Sequence, residues 1–500
     1  MHSIKRIFSE KLGIRTKLIF LFILIKVVPL ILLAMLAWEG VTRLGSGMTE
    51  RAVSLGSEVR GTVTEMGETF SQAAVTALND RARAELERLT TDTARSVADF
   101  LYDRDHDLLL AAQLDPSEAL YRTFVGSRQR SLTDSGQWTL AADGKSWEPR
   151  TAPTTDPRIA TPSNAENKQD FHYRPPETVL RVVPKPLYHE ITFVGLDGKE
   201  KIKIEQTGLL PPDLRDVSRK ENTWNKAETY FSELKKLKAG DIYVSEVIGS
   251  YVPSRVIGAV VPDKAKSLGI PFEPEKEAYA GRENPSGKPF QGIIRWATPV
   301  VKNGVITGYV TLALDHTHVM SFTDNLMPTP ARYTAISDAT NGNYAFMWDY
   351  LDRNIAHPRH HSIVGFDPRT GDYATPWLEA SVYEGWQKSS QPLAHYLKGV
   401  TEFEQQSREK KPAKALTKAG YLGLDCRYLN FAPQCQGWHD LTQYGGSGSF
   451  LILWSGVWKL TTAAAIPYRT GQYANTPRGF GYVTIGANVE DFHGPAKAIA

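Results

Sequence analysis

The chain has 500 residues, 41% hydrophobic and 23% charged, with a formal net charge of +3. That leaves room for two or three domains of ordinary globular composition, and the near balance of charge argues against a dedicated nucleic-acid binder, which would carry a clustered basic face. Eleven Trp and 21 Tyr are the kind of side chains that line ligand pockets and large cores alike, while only two cysteines occur, Cys426 and Cys435.

The first element is the apolar run over residues 18–38. As a helix it would span about 31 Å, enough to cross the hydrocarbon core of a bilayer. It is too long for a secretory signal peptide and lacks a small-residue cleavage site. Lys5, Arg6, Lys11, Arg15 and Lys17 precede it, whereas Glu39, Glu50 and Glu58 follow. The positive-inside rule therefore predicts a cytoplasmic stretch over 1–17, one pass of the inner membrane, and a chain whose bulk is periplasmic or extracellular. Lys26 is expected to snorkel or pair within the span, and Pro29 to kink it.

Beyond the span the pattern turns helical. Leu86, Leu89, Thr93, Val97, Phe100 and Leu108 recur at spacings of three and four, and no Gly or Pro falls in 70–113. This predicts a long amphipathic helix within 45–113, stopped by Asp115-Pro116 and offering its apolar stripe to a second copy in a homodimer. Residues 132–180 read as irregular surface. A hairpin is expected from 188–194 and 199–204, a short helix over 224–237, and strands over 242–248 and 255–261. After a Pro- and Gly-rich excursion over 262–290, strands 292–301 and 306–314 flank the turn Lys302-Asn303-Gly304. A second unit follows, with strands at 332–336, 344–348, 450–454, 458–465 and 481–485 and a helical and polar insertion at 376–420. The fold class is thus α+β: a membrane helix, a long helix and two antiparallel-sheet modules.

The residues Gly304-Val-Ile-Thr-Gly-Tyr-Val-Thr-Leu-Ala-Leu-Asp315, closing the first sheet, resemble the double Cache sensor domain of bacterial transmembrane receptors. So do Leu237-Lys-Ala-Gly-Asp-Ile-Tyr-Val-Ser245, and Asn341-Gly-Asn-Tyr-Ala-Phe346 followed by Ile355-Ala-His-Pro358. The resemblance implies two PAS-like modules: a membrane-distal one over 114–325 that binds a small molecule, and a proximal one over 326–490. The stretch 423–435 with Gly445 to Ser449 and 481–488 is similar to a narrower group. In that group a second membrane helix, a HAMP linker and a cytoplasmic phosphatase, cyclase or kinase follow, so 491–500 is expected to begin an outgoing helix. The chain itself is then a sensor and not an enzyme.

In an alternating strand Tyr243 and Ser245 share one face, as do Arg295 and Ala297, with Trp296 and Thr298 on the other. An arginine fork fixes a carboxylate, and an aromatic wall strengthens it by excluding water. The expected ligand is an amino acid, an organic acid or an amine. Phe346, Trp348 and Asp349 form a second candidate, where the aspartate would meet an amine.

Other motifs carry less. Gly445–Gly448 lacks the Gly-Lys-Ser/Thr ending of a phosphate loop and reads as a hairpin turn. His357, His360 and His361, and His316 and His318 on one strand face, are weighed as metal ligands and read as structural. Glu228 and Glu233 read as solvated helix positions. No catalytic motif, cofactor or metal is assigned. Cys426 and Cys435 are expected to form a local disulfide in an oxidising compartment. The rival readings are a membrane-anchored envelope enzyme and a scaffold binding protein partners through 376–420.

Overall fold

The computed structural model describes residues 13–46, 80–133, 138–144, 147–149, 182–253, 262–267, 269, 289–328, 332–333, 339, 342–378, 380–399, 423–427, 433–454 and 457–491. Two compact units divide the chain, 1–72 and 73–500.

In the first unit α1 (Ile14–Phe22) continues through a π-helical turn, Ile23–Val27, into α2 (Val28–Ser46). Pro29 has no N–H to donate and its ring crowds the preceding turn, so a locally widened turn absorbs what would otherwise be a sharp kink. Ile19, Leu21, Phe22, Leu30, Leu33 and Trp38 are all exposed. Among the described residues no helix is long and apolar enough to cross a membrane. The apolar run 18–38 is shared between α1, the π turn and α2 instead of forming one regular helix.

The second unit opens with α3 (Asp80–Gln113), a helix of 34 residues that ends three residues before Pro116. Residues 47–79 of the helix expected over 45–113 lie outside the described residues. The stripe is buried as its periodicity predicts, with Leu86, Thr93, Val97, Phe100 and Leu108 all covered. What covers it is this same chain: α3 packs on strands of both sheets described below. The stripe is therefore intramolecular core, and the dimer contact assigned to it is corrected.

α4 (Glu118–Gly126) is capped by Ser117, whose side chain accepts the Leu120 N–H. Next come β1 (Gln129–Thr133), the short strands β2 (Trp138–Leu140) and β3 (Trp147–Pro149), and β4 (Val182–Pro186), which pairs with β1. The predicted hairpin is present as β5 (Tyr188–Gly195) and β6 (Glu200–Glu205). The expected helix over 224–237 is broken into a 3₁₀ turn, Trp224–Lys226, and α5 (Tyr230–Leu234), because Asn225 and Lys226 both sit at φ 53°, outside helical space. The expected strand over 242–248 is two short pieces, β7 (Tyr243–Val244) and β8 (Ile248–Gly249). The stretch 255–261 lies outside the described residues. After α6 (Pro262–Ser267) come the long strands β9 (Gly292–Lys302) and β10 (Val305–Asp315). Asn303 and Gly304, at φ 51° and 77°, form the primed turn that their sequence demands. The sheet order is β6-β5-β10-β9-β7, with β8 also on β9.

α7 (Thr317–Asp324) follows at once, then β11 (Leu326–Met327) paired with β12 (Arg332–Tyr333). The second sheet, in the order β14-β13-β17-β16-β15, is built from β13 (Tyr344–Asp349), β14 (Asn354–Ala356), β15 (Ser447–Trp454), β16 (Val457–Ile466) and β17 (Gly481–Asn488). The insertion contributes α8 (Ala380–Ser389) and α9 (Leu393–Tyr396). A helix not expected from sequence, α10 (Pro433–Thr442), precedes β15. Gly445, at φ 86°, therefore ends a helix and leads into a strand, which corrects the hairpin-turn reading of the glycine cluster. Val97 and Leu101 of α3, Trp296 and Leu312 of the first sheet, and Val483 of the second share one buried core.

Candidate functional site

The face of the first sheet turned away from α3 is charged, which is unusual for buried strand positions. Glu190 on β5 and Arg295 on β9 both lie in register with Ala313 of the strand between them. Because that residue is an alanine, two long side chains can meet over it. Arg295 Nη1 donates to Glu190 Oε1 at 2.7 Å. Its Nε donates to Glu228 Oε1 at 2.5 Å and its Nη2 to Glu228 Oε2 at 3.2 Å, a bidentate fork. A further bond reaches Thr311 Oγ1, and the guanidinium lies 4.9 Å from the centroid of the Tyr230 ring. Lys203 Nζ bonds Glu200 at 2.7 Å and stands 3.7 Å from Glu190. Burial works against the Arg295 charge, but Glu228 and Glu190 outweigh it and hold the guanidinium well above its ordinary value. Burial raises Glu200, against the pull of Lys203.

Three carboxylates, Glu190, Glu200 and Glu228, thus face two cations, Arg295 and Lys203, with every one of these side chains no more than 4% exposed. Between Lys203 and Thr311 in the register lies Thr192, wholly buried, whose Oγ1 has no hydrogen-bond partner among the described residues.

The sequence-predicted residues divide as follows. Tyr243 sits opposite Ala297 on the charged face, near Tyr230. Ser245 is spent on backbone, its Oγ accepting the Arg295 N–H and donating to the Glu246 carbonyl. Trp296 and Thr298 point to the other face, as alternation predicts. Trp296 is therefore no wall for Arg295, a role that Tyr230 takes. Trp296 Nε1 instead donates to Asp105 Oδ1 of α3 at 2.8 Å, and Thr298 Oγ1 to the Asp241 carbonyl. Asp105 also accepts from Tyr468 and Thr470, which follow β16. Burial raises the Asp105 pKa, against those hydrogen bonds.

Arg295 was expected to stand ready for a ligand carboxylate, yet it is already doubly paired. Glu228 was expected to be solvated, yet it is 3% exposed and is the main partner of Arg295. Glu190 was not singled out at all, although a lone acid inside the apolar strand Tyr188–Gly195 needs a buried cation and is a legible signal for one. In the second sheet Phe346 and Trp348 are neighbours, with ring centroids 5.9 Å apart. Asp349 does not join them: alternation turns it to the opposite face, where it accepts from Arg353 Nε at 2.6 Å and from the N–H groups of Leu351 and Arg353. The proposed amine partner of Asp349 is thus Arg353 of the chain itself.

The histidines are dispersed. His360 Nδ1 accepts the Phe290 N–H, His357 Nδ1 accepts the Arg359 N–H, and His318 Nε2 bonds the Pro186 carbonyl. His316 Nε2 bonds the Ile355 carbonyl, and the residue lies at the start of α7, so the two-on-a-strand-face reading of His316 and His318 is corrected. Among the described residues no three His, Cys, Asp or Glu converge on a metal-sized space. Cys426 and Cys435 are disulfide-bonded.

No protein-family model matches the chain, and no curated protein matches it. Solved structures similar to it include the ligand-binding domain of the Pseudomonas fluorescens chemoreceptor CtaA in complex with L-isoleucine, at 10% identity and a TM-score of 0.34, covering 84% of this chain and 97% of that one. The ligand-binding domain of the Campylobacter jejuni chemoreceptor Tlp3 with L-valine is similar at 10% identity and a TM-score of 0.33, covering 84% and 97%. That of the Pseudomonas aeruginosa PAO1 amino acid chemoreceptor PctB with L-Arg is similar at 11% identity and a TM-score of 0.31, covering 83% and 99%. Likenesses at these scores carry no weight by themselves, and the fold stands on the two antiparallel sheets and their strand orders.

Proposed function

We propose that the chain is a membrane-anchored extracytoplasmic sensor of the double Cache type. In this reading the charged face of the first sheet binds a small molecule bearing a protonated amine. The observation that carries it is the alternation of β9: Arg295 belongs to the charged face, and its neighbour Trp296 is hydrogen-bonded to Asp105 of the long helix. A ligand that rearranged the Arg295 network would act on α3 through the very next residue. Coupling requires only that the ligand prefer one arrangement of β9 and α3 over another.

The choice of an amine rests on charge and on Thr192. Three buried carboxylates against two cations leave room for one more positive charge, and Thr192 Oγ1 offers an unused acceptor beside them. A carboxylate ligand would first have to displace Glu228 from Arg295. The exposed apolar side chains of α1, the π turn and α2 support the membrane anchor, with the basic residues before them setting the orientation.

The test is thermal unfolding of the full chain in detergent against amines, amino acids and organic acids. A bound compound at a hundred times its dissociation constant stabilises by about 2.7 kcal/mol. The expected hits carry an amine, and Glu228→Gln, which removes one negative charge but keeps a carbonyl acceptor, weakens them at least tenfold. Hits confined to compounds without an amine would overturn the ligand class. No hit at all would overturn small-molecule sensing by this face.

A further inference from the structure

The second sheet carries an independent site on the face opposite α3. Tyr344, Phe346 and Trp348 project from β13 to this side, and α10 closes over it, bringing Trp438 to within 5.4 and 5.5 Å of the Phe346 and Trp348 rings. The Cys426–Cys435 disulfide ties the first turn of α10 to the segment at Leu424 that edges the same cluster. Such an aromatic layer is ordinary core until its polar atoms are counted.

Asn354 sits opposite Trp348 and is wholly buried, yet neither its Oδ1 nor its Nδ2 has a hydrogen-bond partner among the described residues. Trp377, packed against the same cluster, has a buried Nε1 with none, and so does Oε1 of Gln434 on α10, a residue 5% exposed. Leaving a buried polar group unbonded costs about 1–3 kcal/mol each, so several on one face are not expected without a ligand to bond them. At the other end of the face, Gly486 lies opposite Tyr344 and is buried, yet a Cβ built on it would meet no atom of the described residues within 4 Å. There is open space where the sheet floor is smallest.

We propose that this face is a second binding site, for an uncharged planar molecule with a hydrogen-bond donor and acceptor side by side, the edge of an amide or a nucleobase. Asn354 supplies the complementary acceptor and donor, as an asparagine does for a base edge. Trp377 adds a donor and Gln434 an acceptor, while Phe346, Trp348 and Trp438 supply ring faces and edges. At the far end His357 is tilted against Phe346 and Tyr344, with ring centroids 5.5 and 5.1 Å away, and burial first, then Arg359, lowers its pKa well below the ordinary histidine value. Asp349, the one acid of β13, is turned away and paired with Arg353. None of the residues with unbonded atoms, Asn354, Trp377 and Gln434, is charged, and Arg478, which lies over the Tyr482 ring, is paired with Asp352.

The test uses the full chain in detergent, with nicotinamide and adenine as probes and benzoate as a charged control, read by melting temperature and tryptophan fluorescence. The expected result is a rise in melting temperature with an uncharged probe and none with benzoate. Asn354→Leu, which replaces an unbonded amide by an apolar group of similar size, is expected to fold at least as stably and to bind the probe at least tenfold more weakly. Gly486→Ala, about 13 Å along the strand from the Trp348–Asn354 pair, is expected to leave binding of the probe unchanged and serves as the control. No shift with either uncharged probe, or binding unchanged in Asn354→Leu, would overturn the proposal. A crystal structure showing only water bonded to Asn354 and Trp377 at saturating probe would do so as well. Neither variant touches the charged face of the first sheet, so this result and that of the amine screen are separable.

Discussion

Arg295 is held by two acids in a setting that water hardly reaches, and that makes its removal more damaging than its presence is stabilising. Deleting one partner of a buried ion pair leaves uncompensated charge, which typically destabilises by about 3–5 kcal/mol. Arg295→Met is expected to lower stability by that order in urea unfolding, and the double change Arg295→Met with Glu228→Leu to recover part of it. The buried histidines set a pH dependence of definite sign. Burial lowers His316 to about 4 and, with Arg359 and His360 adding to it, lowers His361 to about 3. Between those values and the ordinary histidine range near 6.5 the unfolded chain binds protons that the folded chain does not, so stability rises with pH across that window and is lost as pH falls through it. The urea midpoint is expected to drop from pH 7.5 to pH 5, and to drop less in His361→Leu. At this scale the sequence marked Arg295 and the aromatic residues by type. It could not say that Arg295 was already satisfied, because Glu228 and Glu190 lie 67 and 105 positions away.

Among the elements, the strands were the most legible. Alternation and the Asn303-Gly304 turn placed β9 and β10, and the helix period placed the buried stripe of α3. The misses share a cause. α7, which packs on Phe100 of α3 and on β13 and β14, and α10, which packs on β15 and β16, are each too short for a local period to announce them. α10 also depends on its covalent tie. Closing so short a loop stabilises by about 2–3 kcal/mol in the chain-entropy model. Cys426→Ser with Cys435→Ser is therefore expected to lower the melting temperature and to speed hydrogen exchange in Pro433–Thr442 more than in β9 and β10; equal changes throughout would show that the tie is not local to α10.

For the whole molecule, the two sheets pack on one helix, and one carboxylate of that helix bonds to both sides, alongside direct contacts such as Tyr473 Oη to the Ser245 carbonyl and Gln472 Nε2 to the Val244 carbonyl. Asp105 accepts from Trp296 of the first sheet and from Tyr468 and Thr470 beside the second. The membrane reading belongs to this scale too. Deleting residues 1–46 is expected to move the protein from a carbonate-resistant membrane pellet to the soluble fraction, and a chain that stayed in the pellet would show that another segment anchors it.

The sequence by itself determined the α+β class, the order of one long helix and two sheets, the alternation of β9 and the pairing of the two cysteines. These depend on periods of 2 and 3.6 residues, on turn residues and on counting, all of which are local. The tertiary structure decided what each face meets. It turned the α3 stripe inward onto strands rather than towards a second copy, neutralised Arg295 with two distant glutamates, and left the side-chain polar atoms of Asn354 and Thr192 buried with no hydrogen-bond partner among the described residues. Those outcomes turn on which strands lie side by side, and a residue's own neighbours along the chain carry no record of that.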